Sequence, residues 1–212
     1  AAIVAAPGGK NVYVSLSPPA PPGLVLPPPQ GAIVAFAVDS STGALTPVAQ
    51  GPIPAGLAPN AMAVDPLGGF AYVGNLYSGT VSAYTINSMT GTLAEMTASP
   101  YFLGLTTTDT PAYPTSAAVD PAGRFAYFTI PDQPVGQPVG VSTFDQGLGV
   151  SAFSINAATG ALTAVPGSPF IAGVEPVSVT VDPHSRFAFV ANYAGTVSAF
   201  QIDSISGALA QV

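Results

Sequence analysis

The chain has 212 residues, of which only 6% are charged and 48% are hydrophobic, and its formal net charge is −7. Three scattered bases (Lys10, Arg124 and Arg186) exclude a nucleic-acid-binding surface, and the lack of cysteine excludes disulfides and thiolate metal sites. Glycine, proline, aspartate or asparagine interrupts each apolar run before the roughly 20 residues of a spanning helix, and no signal-peptide pattern is present, so we expect no membrane span.

A segment near the start of the chain returns three times. The first copy, residues 4–14, is degenerate, whereas the copies at 63–73, 118–128 and 180–190 share a Val-Asp-Pro turn followed by Phe-Ala and a further aromatic residue. The turn prolines stand at positions 7, 66, 121 and 183, so one repeat is 55 to 62 residues long. Self-similarity at such a period is typical of solenoids and propellers.

A second element follows each copy. It alternates β-branched, small and aromatic residues at 32–38, 80–86, 150–155 and 196–202, and it leads to a Gly-Ala-Leu or Gly-Thr-Leu segment at 43–45, 91–93, 160–162 and 207–209. Each repeat therefore holds four short β-type runs separated by turn residues, with apolar residues on both strand faces. Four strands per repeat predict an all-β fold, a β-propeller of four consecutive four-stranded antiparallel blades. We expect one domain over 1–212, with repeats at about 1–58, 59–113, 114–175 and 176–212.

The repeated Val-Asp-Pro-x-Gly-Arg-Phe-Ala-Tyr-Val, followed by Val-Ser-Ala-Phe-x-Ile and Thr-Gly-Ala-Leu, resembles the lactonase-type, YVTN-like β-propellers, which include 6-phosphogluconolactonase-like enzymes. The resemblance covers essentially the whole chain and implies a propeller that typically has seven blades. With four repeats, three arrangements stay open: part of a longer propeller, two arcs that share a ring, or a closed four-bladed disc. In the first two, the arc would expose two apolar blade faces.

Turn residues account for most of the charged side chains. We predict structural turns at Asp65, Pro66, Asp120, Pro121, Arg124, Asp182, Pro183 and Arg186, with intra-turn pairs between Asp120 and Arg124 and between Asp182 and Arg186. The only histidine, His184, lies in one of these turns, at a position where the other repeats carry leucine or alanine. We therefore expect it to be exposed and without a catalytic role.

Three long insertions, 16–30, 98–114 and 131–149, are predicted to lie at the end of the propeller opposite to these turns. Loops on a rigid scaffold often carry recognition, so Asp109, Asp132 and Asp145 are candidate recognition residues. Tolerance of insertions at that end explains the clustering equally well. A Ca²⁺ site built from these aspartates is an alternative without support from ligand spacing, and we predict no other cofactor.

The residues themselves provide no catalytic constellation. A phosphorylated sugar lactone would require basic residues for its phosphate, and all three bases lie in the predicted turns. The charge-poor composition favours a non-catalytic extracellular or cell-surface propeller that acts as a structural, assembly or binding scaffold and associates with itself or with further blades. The alternative, implied by the family resemblance, is a lactonase-like hydrolase of sugar lactones or a segment of one.

Overall fold

A computed structural model describes residues 1–17, 30–103, 113–131 and 149–212. These residues form strands and turns without any helix, and hence without a helix that could cross a membrane. The strands build four antiparallel sheets in chain order, which we call blades 1 to 4. The prediction of an all-β propeller with four consecutive antiparallel blades is confirmed.

Each blade is a meander in which neighbouring strands of the chain pair with one another. The strands of blade 1 are β1 (Ile3–Ala5), β2 (Asn11–Leu16), β3 (Gln30–Val38), β4 (Leu45–Pro47) and β5 (Ile53–Leu57), and those of blade 2 are β6 (Pro59–Val64), β7 (Phe70–Asn75), β8 (Thr80–Ile86), β9 (Leu93–Glu95) and β10 (Tyr101–Phe102). Blade 3 consists of β11 (Ser116–Val119), β12 (Phe125–Thr129), β13 (Gly149–Ile155), β14 (Leu162–Ala164) and β15 (Phe170–Ile171), and blade 4 of β16 (Pro176–Val181), β17 (Phe187–Asn192), β18 (Val197–Ile202) and β19 (Leu209–Gln211).

The outermost strand differs from the simple prediction. In blades 1 to 3 two short segments, rather than one strand, pair in succession with the third strand. Val48, Met96 and Val165 follow the first segment, and each still donates a backbone hydrogen bond to the third strand. The chain then turns and rejoins the same strand nearer its start, which lengthens the outer edge of the blade.

The hydrophobic core lies between blades, as the apolar residues on both strand faces predicted. Tyr13 and Ile33 of blade 1 pack with Val73 and Tyr84 of blade 2, and comparable clusters join blade 2 to blade 3 and blade 3 to blade 4. The innermost strands β1, β6, β11 and β16 pack side by side. This order of the inner strands aligns the corresponding turns of all four blades.

The outer face of blade 4 is apolar and uncovered. Val197 is 68% exposed, whereas Val81 and Val150, at the same position in blades 2 and 3, are completely buried. Phe189, which corresponds to the buried Tyr72 and Tyr127, is also exposed. The four blades therefore form an open arc, and a closed four-bladed disc is not what the structure shows.

Candidate functional site

The two ends of the propeller differ in chemistry. At one end, which we call the turn end, lie the turns between first and second strands and between third and fourth strands. At the other, the loop end, the chain enters the inner strands through the Xaa-Pro pairs Ala58-Pro59, Tyr113-Pro114 and Glu175-Pro176; Pro59 and Pro176 open β6 and β16, and Pro114 lies two residues before β11. Because β6, β11 and β16 pack side by side, these three pairs follow one another along the arc.

The turn end uses its carboxylates to hold its own backbone. Asp65 accepts hydrogen bonds from the N–H groups of Leu67 and Phe70, at 3.0 and 2.6 Å. Asp120 and Asp182 make the corresponding bonds in blades 3 and 4. A carboxylate that satisfies several backbone donors stabilises its turn and has little capacity left for a substrate.

The basic residues at the turn end lie beside these carboxylates. Arg124 is 3.4 Å from Asp120 and Arg186 is 3.8 Å from Asp182, each pair measured between guanidinium nitrogen and carboxylate oxygen. The imidazole of His184 is 3.6 Å from Asp182, and its side chain is 75% exposed.

The turns between third and fourth strands form a second set of structural polar residues. Asp39, Asn87, Asn156 and Asp203 occupy equivalent positions, and each side chain accepts backbone hydrogen bonds from residues two and three positions later. Hydrogen bonds from the Ser41 hydroxyl and from the backbone of Thr42 and Ser41 hold the pKa of Asp39 well below its usual range. These side chains act as turn caps.

Glu175 is the one buried carboxylate at the loop end within the described residues. It directly precedes inner strand β16 and is only 5% exposed. No ion pair or hydrogen bond to its carboxylate is present among the described residues. It corresponds to Ala58 of blade 2, so the blade itself does not require an acidic residue here.

The backbone at Glu175 is held in an uncommon conformation. Its φ is +50°, and that of Ala58 is +51°. Residues other than glycine, asparagine and aspartate rarely adopt this left-handed region. The carbonyl of Glu175 accepts a hydrogen bond from Tyr193 N–H at 2.9 Å, as that of Ala58 does from Leu76. Blades 2 and 4 therefore share this conformation, which fixes the direction in which the Glu175 side chain leaves the backbone.

Polar contacts between blades 3 and 4 position Glu175 further. The Thr115 hydroxyl donates a hydrogen bond to the carbonyl of Pro176, at 3.1 Å, and lies 2.8 Å from the Thr129 hydroxyl. Aromatic residues lie at the same end: Tyr77 and Tyr113 stack edge to face with their ring centroids 6.1 Å apart. Glu175 thus belongs to a loop end that also carries aromatic rings and hydroxyl groups.

The candidate recognition residues Asp109, Asp132 and Asp145 lie outside the described residues. The described residues contain no group of three histidine, aspartate or glutamate side chains that could hold a metal ion. Glu175 lies in none of the repeated turns, and the sequence analysis did not single it out. Alignment of the Xaa-Pro pairs would have found it, because Ala58 and Tyr113 occupy the same position without a carboxylate.

The architecture and its repeats define a β-propeller of the lactonase type. The family model described as lactonase, 7-bladed beta-propeller, matches residues 1–106 and 103–212. The chain therefore belongs to the lactonase β-propeller family, and the resemblance seen in the repeats is confirmed. No curated protein matches the chain.

Solved structures agree with this fold. A protein of Bacteroides fragilis assigned as a 6-phosphogluconolactonase matches with a TM-score of 0.73 and 18% identity, over 100% of this chain and 52% of its own. An equivalent protein of Bacteroides uniformis gives 0.72 and 16%, over 99% and 52%. The periplasmic gluconolactonase of Pseudomonas aeruginosa gives 0.72 and 18%, also over 99% and 52%. The chain spans about half the length of these structures.

These matches correct the expectation of a non-catalytic scaffold, which is wrong: the family and its structural neighbours point to a sugar lactone hydrolase. The error came from treating scarce charge as evidence against catalysis. In the hydrolysis of an uncharged ester, a carboxylate can act as the general base, and backbone N–H or hydroxyl groups can donate the hydrogen bonds. The reaction therefore does not require a lysine or arginine side chain.

Proposed function

We propose that the protein hydrolyses a sugar lactone at the loop end of the propeller, with Glu175 as the general base. The observation that carries this proposal is the buried carboxylate of Glu175, which is not consumed by a turn, in a chain whose whole length matches the lactonase family. All aspartates among the described residues lie in hydrogen-bonded turns, and the other described glutamate, Glu95, is exposed on an outer strand.

The chemistry needs one proton acceptor. The carboxylate of Glu175 takes a proton from a water molecule, whose oxygen attacks the carbonyl carbon of the lactone. The tetrahedral intermediate then collapses, the bond between this carbon and the ring oxygen breaks, and the ring oxygen receives the proton. The product is the open hydroxy acid. Hydroxyl groups at the loop end, such as those of Tyr113 and Tyr193, are available to stabilise the oxyanion.

A substitution series tests this role. Glu175→Gln removes the base but keeps the size of the side chain, and we expect kcat for glucono-1,5-lactone to fall by about 100-fold or more, above the spontaneous rate. Glu95→Gln is the matched control, because Glu95 is exposed and lies on an outer strand, and it should leave kcat unchanged. If Glu175→Gln retains full activity and the wild-type melting temperature, Glu175 is not the base.

We propose that further blades of the same kind cover the exposed faces of blades 1 and 4. This is supported by the apolar surface around Val197 and by a length about half that of the matched structures. Val197→Lys should then destabilise the assembled propeller, whereas the same change would be neutral on a permanently exposed face. Comparison of melting temperatures with Gln201→Lys, at a position whose counterpart Thr85 stays exposed in the covered blade 2, separates the two outcomes.

We also propose a location outside the cytoplasm. The basis is the low charge, the lack of cysteine and the periplasmic neighbour from Pseudomonas aeruginosa. Fractionation of the source cells, followed by detection of the chain with an antibody, tests this proposal, and recovery with the cytosol would contradict it.

A further inference from the structure

A cleft lies between blades 1 and 2, near the outer edge of the propeller. One wall is formed by β5 and the other by residues in or just before β8, and the walls contain Ala55, Gly56 and Leu57 on one side and Ser78, Thr80 and Ser82 on the other. The cleft has a volume of about 340 Å³, which is within the range of pockets that hold small molecules. Glu175 directly precedes the first strand of blade 4, so the cleft is a separate site from the proposed hydrolytic one.

Hydrogen bonds between the two blades fix the walls of the cleft. The Gln50 side chain of blade 1 pairs with the backbone of Leu93 in blade 2: its amide nitrogen donates to the carbonyl, and its amide oxygen accepts from the N–H at 2.8 Å. The equivalent residues of blades 2 and 3, Ala98 and Gly167, have no side chain that could make these bonds. The cleft is therefore preformed, and a ligand does not have to order its walls.

The hydroxyl groups in the cleft use their oxygens as acceptors within the protein. The Leu57 N–H donates to Ser78 Oγ at 3.0 Å. Asn75 Nδ2 donates to Thr80 Oγ1 at 3.1 Å and to Ser82 Oγ at 3.0 Å, so these two oxygens lie close together. The hydroxyl protons of Ser78 and Thr80 have no acceptor among the described residues, so both groups are free to donate to a ligand.

Thr80 is the strongest indication of a ligand in this cleft. It is only 5% exposed, and a buried hydroxyl donor without an acceptor is costly and therefore rare in proteins. Blade 4 repeats the arrangement, because Asn192 donates to Thr196 and Ser198 at 3.1 and 3.0 Å, but Thr196 is exposed and its proton can bind water. The repeat thus explains the hydrogen bonds from asparagine, and it does not explain why the Thr80 donor is enclosed in a cleft.

The chemistry of the cleft favours a neutral ligand that carries several hydroxyl groups. The Gln30 amide adds both a donor and an acceptor to the lining, and Pro100 adds apolar surface. Glu95 lies at the exposed rim, where its carboxylate already accepts the Ser99 hydroxyl at 2.8 Å. None of the lining residues supplies a positive charge for an anion. Ligand hydroxyl groups can accept from the cleft hydroxyls and can both donate to and accept from the amide.

We propose that the cleft between blades 1 and 2 binds a small neutral polyol through the hydroxyl groups of Ser78 and Thr80. This binding is independent of the proposed hydrolysis, because Glu175 is not part of the cleft. myo-Inositol is a suitable probe, since it carries a hydroxyl group on every ring carbon and has no ester bond that the protein could hydrolyse.

Titration of the full chain with myo-inositol, followed by heteronuclear NMR, locates the bound polyol. We expect saturable chemical-shift changes at the amides of Leu57, Ser78 and Thr80, with a Kd of about 1–10 mM for a ligand of this size. The absence of saturable changes, or changes confined to the loop end, would overturn the proposal and would leave the proposed hydrolysis untouched.

A second ligand tests whether hydroxyl groups are what the cleft recognises. Cyclohexanol has the same ring size with a single hydroxyl group, and we expect it to bind at least about tenfold more weakly than myo-inositol. Equal or tighter binding of cyclohexanol would show that the cleft selects apolar surface, and it would overturn the assignment to polyols.

A matched pair of variants tests the role of Thr80. Thr80→Val keeps the shape of the side chain and removes its hydroxyl, so we expect the Kd for myo-inositol to rise about tenfold. Thr196→Val removes the equivalent hydroxyl of blade 4, outside the cleft, and should leave this Kd unchanged. Ser78→Ala provides a second measurement if Thr80→Val lowers the melting temperature. Wild-type affinity in both cleft variants would overturn the proposal.

Discussion

The hydroxyl of Tyr127 in blade 3 donates a hydrogen bond to the carbonyl of Gly207 in blade 4, over 3.1 Å. Tyr72 makes the same bond to Gly160, and Tyr13 makes it to Gly91. Burial raises the pKa of the Tyr127 hydroxyl, so it remains a donor across the physiological range. Each blade is thereby joined to the next by a tyrosine in its second strand and a glycine in the following blade's outer turn.

Removal of this hydroxyl should weaken the joint between blades. Tyr127→Phe leaves the buried Gly207 carbonyl without its partner, and we expect the free energy of unfolding to fall by about 1–2 kcal/mol. Phe189→Tyr is the reciprocal control: it adds the hydroxyl at the equivalent position of blade 4, where the face is exposed. Urea denaturation should show a loss for the first variant only, and equal effects would contradict a specific bond between blades.

The glycine of this joint is required for space as well as for backbone conformation. Gly207 has a φ of +79°, and a Cβ there would come within 2.3 Å of the Phe125 ring; at Gly43, with a φ of +72°, nothing lies within 4 Å. Both Gly→Ala changes incur the cost of a positive φ, but only Gly207→Ala also displaces Phe125. We expect Gly207→Ala to be more destabilising than Gly43→Ala by about 1–3 kcal/mol. Equal losses in thermal unfolding would show that the ring moves freely.

The sequence predicted the blade because every feature of the blade is local. The Val-Asp-Pro turn, the alternating strand and the Gly-Ala-Leu turn recur together, so strand number and pairing follow from the repeat. The joint between Tyr127 and Gly207 was not predicted, because its residues are 80 positions apart and depend on how two finished blades meet. Glu175 was not singled out for a similar reason: its burial is a property of the folded chain that the repeat pattern does not carry.

Two of the turn caps should make stability depend on acidic pH. Hydrogen bonds from the backbone and hydroxyl of Ser206 lower the pKa of Asp203, and those from Ser41 and Thr42 lower that of Asp39. A pKa that is lower in the folded state contributes stability above the unfolded value, near 3.9, and this contribution is lost as pH falls further.

Asparagine removes this pH dependence and keeps the cap. Asn87 and Asn156 already accept the equivalent backbone bonds at 3.0 and 3.1 Å. We therefore expect the melting temperature of the double variant, Asp39→Asn with Asp203→Asn, to fall less between pH 4 and pH 2 than that of the wild-type protein. Superimposable curves for the two proteins over that range would contradict a role for these carboxylates in acid stability.

Arg124 and Arg186 occupy the same position of the repeat, yet they should respond differently to substitution. Both approach their own aspartate and phenylalanine, but Arg124 also donates a hydrogen bond to the Ser204 carbonyl of the next blade. We expect Arg124→Ala to lower the free energy of unfolding by about 1 kcal/mol, which is below the usual contribution of a charged hydrogen bond because the side chain is partly exposed. Arg186→Ala should have a smaller effect, since its guanidinium reaches no neighbouring blade among the described residues. If chemical denaturation gives the same loss for both, the contact with Ser204 contributes nothing, and the stability of the arc depends on the tyrosine–glycine joints and the apolar core between blades.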